Sequence, residues 1–226
     1  MAQAKVVLDK AVLTLKDPEY VRWSQAELLD WVSEAQVAIA RVPGAYSITR
    51  VVALEEGTRQ KLPSDAWSLV TVARNYEDDG ETPLTPIRLV TRALLDASIP
   101  TWHMGPCRPL VENYVYDERY PLTYFVYPPN DGSGHVELVY QGIPAPVTSP
   151  EQELVLDDSF VPAILSYVLF RAFSKDSDYA PGAQAATQYF SAYNSELTNA
   201  IQARSLTTPN ASLASDGPVN ETGGTE

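Results

Sequence analysis

The chain has 226 residues, with 29 Asp and Glu against 16 Lys and Arg, a formal net charge of −13, two histidines and one cysteine. That length supports one large domain or two small ones, each with a real core, and the acidity argues against tightly held DNA, which needs clustered cations to neutralise phosphates. Cys107 alone excludes an intrachain disulfide framework. No window approaches the ~20 apolar residues of a membrane span, and the expectation is a soluble protein that folds in a reducing cytoplasm.

Taken in chain order, the pattern predicts a short helix over 3–15 and a stronger one over "RWSQAELLDWVSEAQVAIARVPG". Ser24 and Glu27 form a capping-box pattern at its start, and Pro43 and Gly44 end it. Leu28, Val32, Ala35, Ile39 and Val42 make one apolar stripe. From about 46 to 156 the period changes to two. "SITRVVALEEG", "KLP", "SLVTVARNY", "IRLV", "ENYVYD", "TYFVYP" and "HVELVY" read as short strands between Gly, Pro, Asn and Asp, with one helix, "TRALLDAS", among them.

The helical period returns in "LDDSFVPAILSYVLFRAFSKDS", capped by Asp157 or Asp158, with Pro162 in its first turn. A long final helix follows, with Ala186, Phe190, Tyr193, Leu197 and Ile201 as its buried stripe. The polar segment after about 205 reads as a disordered tail. The expected fold class is α+β: a helical bundle formed by the N- and C-terminal helices with an inserted antiparallel β-domain. Its divisions are 1–45 and 157–205 for the bundle, 46–156 for the insertion and 206–226 for the tail.

Candidate sites are few. "PPNDGSGH" joins two strand-like runs and no Lys follows, so a hairpin is favoured over a phosphate-binding glycine loop. Tyr114, Tyr116, Tyr124, Phe125, Tyr127 and Tyr140 could form a base-stacking platform. Acidic neighbours outnumber Arg119 there, so packing across strands or against another subunit is favoured. His103 and His135 have no metal-type partner spacing, and Cys107 has no His beside it in sequence. "RNYEDDGETP" reads as a solvated hairpin tip. Arg171 and Lys175, one turn apart, are expected to pair with acidic residues within or between subunits.

An ordered set of segments resembles the adaptor, or head–tail connector, proteins of tailed bacteriophages. It runs through "RWSQAELLDWVSEAQ" (22–36), "GTRQKLP" (57–63), "VARN" (72–75), "IRLVTRALLDASIPTWH" (87–103), "YVYDERYPLTYFVYPP" (114–129), "VELVY" (136–140) and "YVLFRAFSKDSDYA" (167–180). The resemblance implies a ring, usually of twelve copies, beneath the portal protein, which extends the DNA channel without binding DNA specifically and carries tail or nozzle proteins. It implies no catalysis, cofactor or metal, and a place in the virion after synthesis in the host cytoplasm. Related adaptors clasp the portal with their C-terminal segment, which here carries Leu206 and Leu213. The expected interaction residues are therefore Arg171, Lys175, Tyr114, Tyr116, Tyr124, Tyr127, Leu206 and Leu213. The competing readings are a nucleic-acid-binding β-domain and a hydrolase using Cys107 or a dispersed triad.

Overall fold

The computed structural model describes residues 1–175 and 180–207. They form five α-helices and two four-stranded, largely antiparallel sheets, a mixed α/β protein. The chain divides into two compact units, one made of residues 1–36 with 146–226 and the other of 37–145.

The first unit starts with α1 (Ala4–Leu15), whose Val7, Leu8 and Ala11 are buried at helical spacing. Lys16 takes left-handed backbone (φ 56°) to end it. Asp17 then accepts the N–H groups of Val21, Arg22 and Trp23, which holds the connection into α2 (Gln25–Ala40). Ser24 Oγ accepts the Glu27 N–H at 3.3 Å, one half of the expected capping box; the Glu27 carboxylate is engaged by Lys175.

The aperiodic segment from Pro146 to Phe160 belongs with these helices. Its backbone bonds to residues 2–5 of the chain. Two polar residues of α2 hold it as well: Ser33 Oγ accepts the Val147 N–H, and the buried Gln36 Oε1 accepts the Val155 N–H at 2.7 Å. Asp157 accepts the Ser159 N–H and opens a short 3₁₀ turn into α4 (Val161–Lys175), which packs on α1 and on α5 (Ala180–Thr207). Pro162 falls in the first turn of α4, where its missing N–H has no helical partner to lose.

In the second unit, β1 (Ile48–Ala53), β8 (His135–Gly142), β3 (Ala66–Tyr76) and β4 (Pro83–Pro86) make one sheet in that order, all antiparallel. The other sheet has the order β2 (Gly57–Lys61), β7 (Thr123–Asn130), β6 (Asn113–Tyr116), β5 (Arg88–Leu89), with β5 and β6 parallel. Val72, Val136, Leu138 and Tyr140 of the first sheet pack with Tyr114, Tyr124 and Val126 of the second. Burial along β3 recurs every third residue, and shifts in its register against β8 reconcile that spacing with a strand. The edge strand β4 begins and ends with proline, a pattern the period-two reading passes over and edges tolerate. Strand β2 covers 57–61 rather than the expected "KLP", because its inward residues, Thr58 and Gln60, are polar.

The segment "PPNDGSGH" corrects the sequence reading. It is not a hairpin, because β7 and β8 lie in different sheets and the segment carries the chain from one to the other. Asn130 organises that corner. Its Nδ2 donates to the carbonyls of Arg108 (3.0 Å) and Pro109 (2.9 Å), and its Oδ1 accepts the N–H groups of Gly132 (2.8 Å) and Gly134 (3.2 Å). Gly132 has φ +88°, as expected for a turn glycine, but Gly134 serves a different need: a Cβ there would overlap the Pro109 carbonyl and the Asn130 amide.

On the outer face of the second sheet, α3 (Arg92–Ser98), capped by Thr91, and the 3₁₀ turn Trp102–Met104 enclose a second apolar cluster. Leu95, Trp102 and Val115 form it, with Val90, Ile99, Phe125 and Tyr127 packed against it.

Candidate functional site

The tyrosines singled out from sequence divide by face. Tyr114 and Tyr124 are buried between the sheets. The Tyr114 hydroxyl meets Thr71 Oγ1 at 3.2 Å, whereas the Tyr124 hydroxyl has no hydrogen-bond partner among the described residues and burial pushes its pKa well up. The half-buried Tyr116 accepts the Leu69 N–H and donates to the Pro121 carbonyl, and Tyr127 packs on the outer cluster. Tyr114 and Tyr124 are thus packed inside the unit, while Tyr116 and Tyr127 remain partly exposed.

Arg171 and Lys175 meet acidic residues of α2. Arg171 lies 3.0 Å from Glu34 and Lys175 2.7 Å from Glu27, giving two parallel ion pairs on half-exposed helix faces. Beside them Phe170, Ser174, Ala183, Ala186, Thr187 and Phe190 line an open groove of about 540 Å³. Phe190 was expected on the buried stripe of the last helix and is instead 45% exposed. Its ring lies 5.0 Å from that of Phe170 and 6.2 Å from that of Tyr193, between ring centres, and lines the groove. Leu206 is 80% exposed near the end of α5, and Leu213 lies outside the described residues.

A second groove, of about 520 Å³, lies on the β unit and has no counterpart in the sequence reading. Arg59, Arg92, Asp117, Arg119, Tyr120, Thr123 and Phe125 line it. Arg59 and Phe125 are cross-strand partners and share a face, and the Arg92 guanidinium lies 4.5 Å from the Phe125 ring centre. Arg119 is held by Asp117 through Nε (3.0 Å) and Nη2 (2.7 Å). Its side-chain hydrogen bonds, helped by its backbone N–H, lower the Asp117 carboxyl to about 2. Because that value lies below the ordinary 3.8, what the charged carboxylate adds to stability is complete above the ordinary value and is lost as pH falls through about 2. NMR titration of Asp117 should give that midpoint, and Arg119→Ala should return it toward 3.8; an unmoved midpoint would refute the pairing.

The two histidines have separate tasks. His103 stacks on Trp102 with ring centres 3.5 Å apart and hydrogen-bonds Thr58 Oγ1 through Nδ1. Burial, then the nearby Arg92 charge, holds its pKa below the usual histidine range. His135 starts β8 with Nδ1 buried and without a hydrogen-bond partner among the described residues. Cys107 is exposed and free. Among the described residues no three His, Cys, Asp or Glu side chains cluster as a metal site, and no helix is long and apolar enough to cross a membrane.

Fold and surfaces together define a mixed α/β protein with two open grooves and two ion pairs between α2 and α4. The family model described as SU10 adaptor protein matches residues 3–214, nearly the whole chain, and the chain belongs to that family of phage adaptor proteins. No curated protein matches it.

Proposed function

We propose that this chain is the ring-forming adaptor between the portal and the tail of a tailed phage. Family membership across residues 3–214 is the observation that carries the reading. Helices from both chain ends form the ring-building bundle, the β-rich unit of residues 37–145 is its inserted domain, and about twelve copies close the ring. The ring extends the DNA channel, supports tail or nozzle proteins and serves genome retention and ejection at the head–tail interface of the virion. A subunit of net charge −13 suits that task, since an acidic wall lets DNA pass without adhering.

Native mass by light scattering tests this reading, on the protein alone and with a candidate portal. A ring-sized mass in either sample is the expected result; a monomer that ignores the portal overturns it. Residues 206–226, with Leu206 and Leu213, are the proposed portal clasp. Deleting them should abolish portal binding and leave the thermal unfolding of the rest unchanged. Retained binding would refute the clasp.

Arg171 and Lys175 are the proposed contact residues of the bundle. An exposed pair such as Arg171–Glu34 contributes only about 0.2–1 kcal/mol, so Arg171→Glu should lower stability by about 1 kcal/mol. Loss of ring mass from that variant, with folding intact by circular dichroism, marks an intersubunit contact. Normal stability and normal assembly together would remove Arg171 from both roles.

A further inference from the structure

The β unit carries two opposite charge features that cannot meet within one chain. The first is the arginine groove. Arg59 and Arg92 make no ion pair among the described residues, while Arg119 is already neutralised by Asp117. Lys61, two residues beyond Arg59 on the same exposed face of β2, adds a third cation at its margin.

The second is the tip between β3 and β4. The Asp79 carboxylate is used internally, accepting the N–H groups of Glu81 (2.8 Å) and Thr82 (2.9 Å) and the Thr82 hydroxyl. With the Glu77–Thr82 and Gly80–Glu77 backbone bonds, it holds the turn in one shape. Glu77, Asp78 and Glu81 are left exposed on it without an ion pair among the described residues.

Hydrogen bonds along β3 fix where the two features lie. The Tyr116 hydroxyl joins Leu69 near the start of β3 to Pro121, in the turn beside the arginine groove. Asn75, near the other end, exchanges hydrogen bonds with Val111, and the acidic tip follows Tyr76. Leu69 and Tyr76 are about 23 Å apart at strand rise. The carboxylates and the guanidiniums therefore occupy opposite ends of the unit, and neither can reach the other in its own chain.

We propose that the acidic β3–β4 tip of one copy docks in the Arg59–Arg92 groove of the next, forming the head-to-tail contact of the ring; this rests on the ring reading above. Two different patches meeting in this way make a heterologous contact, the type that propagates around a closed ring. Complementary charge also selects the partner and its orientation. A second copy suits the groove better than nucleic acid does. Its free cations are few, and Asp117 and Glu118 adjoin them, whereas phosphate backbones need many neutralising contacts.

The test uses the full chain with Cys107→Ser, carrying Arg59→Cys and Glu81→Cys together. Mild oxidation should give a ladder of dimers, trimers and higher species, trapping the contact even where it is transient. Each single-cysteine chain should stop at dimers. Arg59→Glu and Glu77→Lys with Asp78→Lys should each weaken self-association by about tenfold or more, and combining the reversals in one chain should restore it. Arg92→Glu is a second groove variant; circular dichroism reports whether each variant folds.

Absence of a ladder overturns the contact. Native mass then separates the two readings: a ring without the ladder keeps the ring and discards this contact, and a monomer that also ignores the portal discards both. Oligonucleotide binding at moderate salt that Arg59→Glu abolishes, with no ladder, would assign the groove to phosphate and likewise overturn the proposal.

Discussion

Replacing Asn130 by alanine should destabilise the β unit by about 3 kcal/mol and lower the unfolding midpoint by about 6–12 °C. Asn130 is fully buried and makes four hydrogen bonds, two as donor and two as acceptor. Alanine removes all four at once. The Arg108 carbonyl keeps a bond from the Asp131 N–H at 3.3 Å, so the Pro109 carbonyl and the Gly134 N–H bear most of the loss. Each buried group left unpaired costs about 1–3 kcal/mol. Asn130→Asp separates the two halves of the network: it keeps the acceptor toward Gly132 and Gly134 and removes both donor bonds. It also turns a buried carboxylate oxygen toward the Arg108 and Pro109 carbonyls, so at neutral pH its loss should equal or exceed that of Asn130→Ala, measured by chemical denaturation followed by tryptophan fluorescence. Equal stability of all three proteins would refute the assignment of the corner to this side chain.

That corner also shows where sequence reading stops. The alternation of "TYFVYP" and "HVELVY" is visible as two strands, and the buried residues of β7 and β8 follow it. Alternation defines a strand and its inward face, but not which sheet the strand joins. Nothing local distinguishes a glycine turn that returns within a sheet from one that crosses to another. The deciding contact, from Asn130 to the carbonyls of Arg108 and Pro109, comes from a chain segment about twenty residues earlier. Gly134 gives the same lesson, because its need for a missing Cβ arises from Pro109 and Asn130 and not from its own φ.

The helices were legible for the complementary reason. Leu28, Val32, Ala35 and Ile39 are all fully buried, and their spacing needs only one helix to be read. The same spacing overreaches at Phe190, which is 45% exposed and lines the groove. The segment 146–156 carries no period, and what ties it to the helices is polar: Ser33 and Gln36 of α2. The groove was the least legible feature. Arg59 lies on a strand with polar inward residues and Arg92 opens a short helix; β2–β7 pairing brings Arg59 beside Phe125, and the placement of α3 on the outer face of the same sheet brings Arg92 to that ring.

Trp102→Ala should have an effect as large on folding and a distinct one on the groove. The indole is 1% exposed, stacks on His103, meets Phe125 edge-on at 6.2 Å and donates from Nε1 to Asp96 at 2.8 Å. It is the largest side chain of the cluster that holds α3 on the sheet. Truncating a buried tryptophan leaves a cavity and costs about 3–5 kcal/mol, so the cluster should loosen before the core between the sheets does. Hydrogen exchange should show this order, with faster exchange in α3 and unchanged protection in β3 and β8. Arg92 sits 5.9 Å from the same indole ring, so its guanidinium loses a wall as well as a neighbour. Trp102→Phe keeps most of the volume and forfeits the Asp96 bond, and should lose about 1–2 kcal/mol while keeping Arg92 over Phe125. If intersubunit cross-linking through the groove survives in Trp102→Phe and fails in folded Trp102→Ala, the outer cluster is what positions the arginine. If Trp102→Ala unfolds both sheets together, α3 is part of the same cooperative core and the groove cannot be loosened on its own.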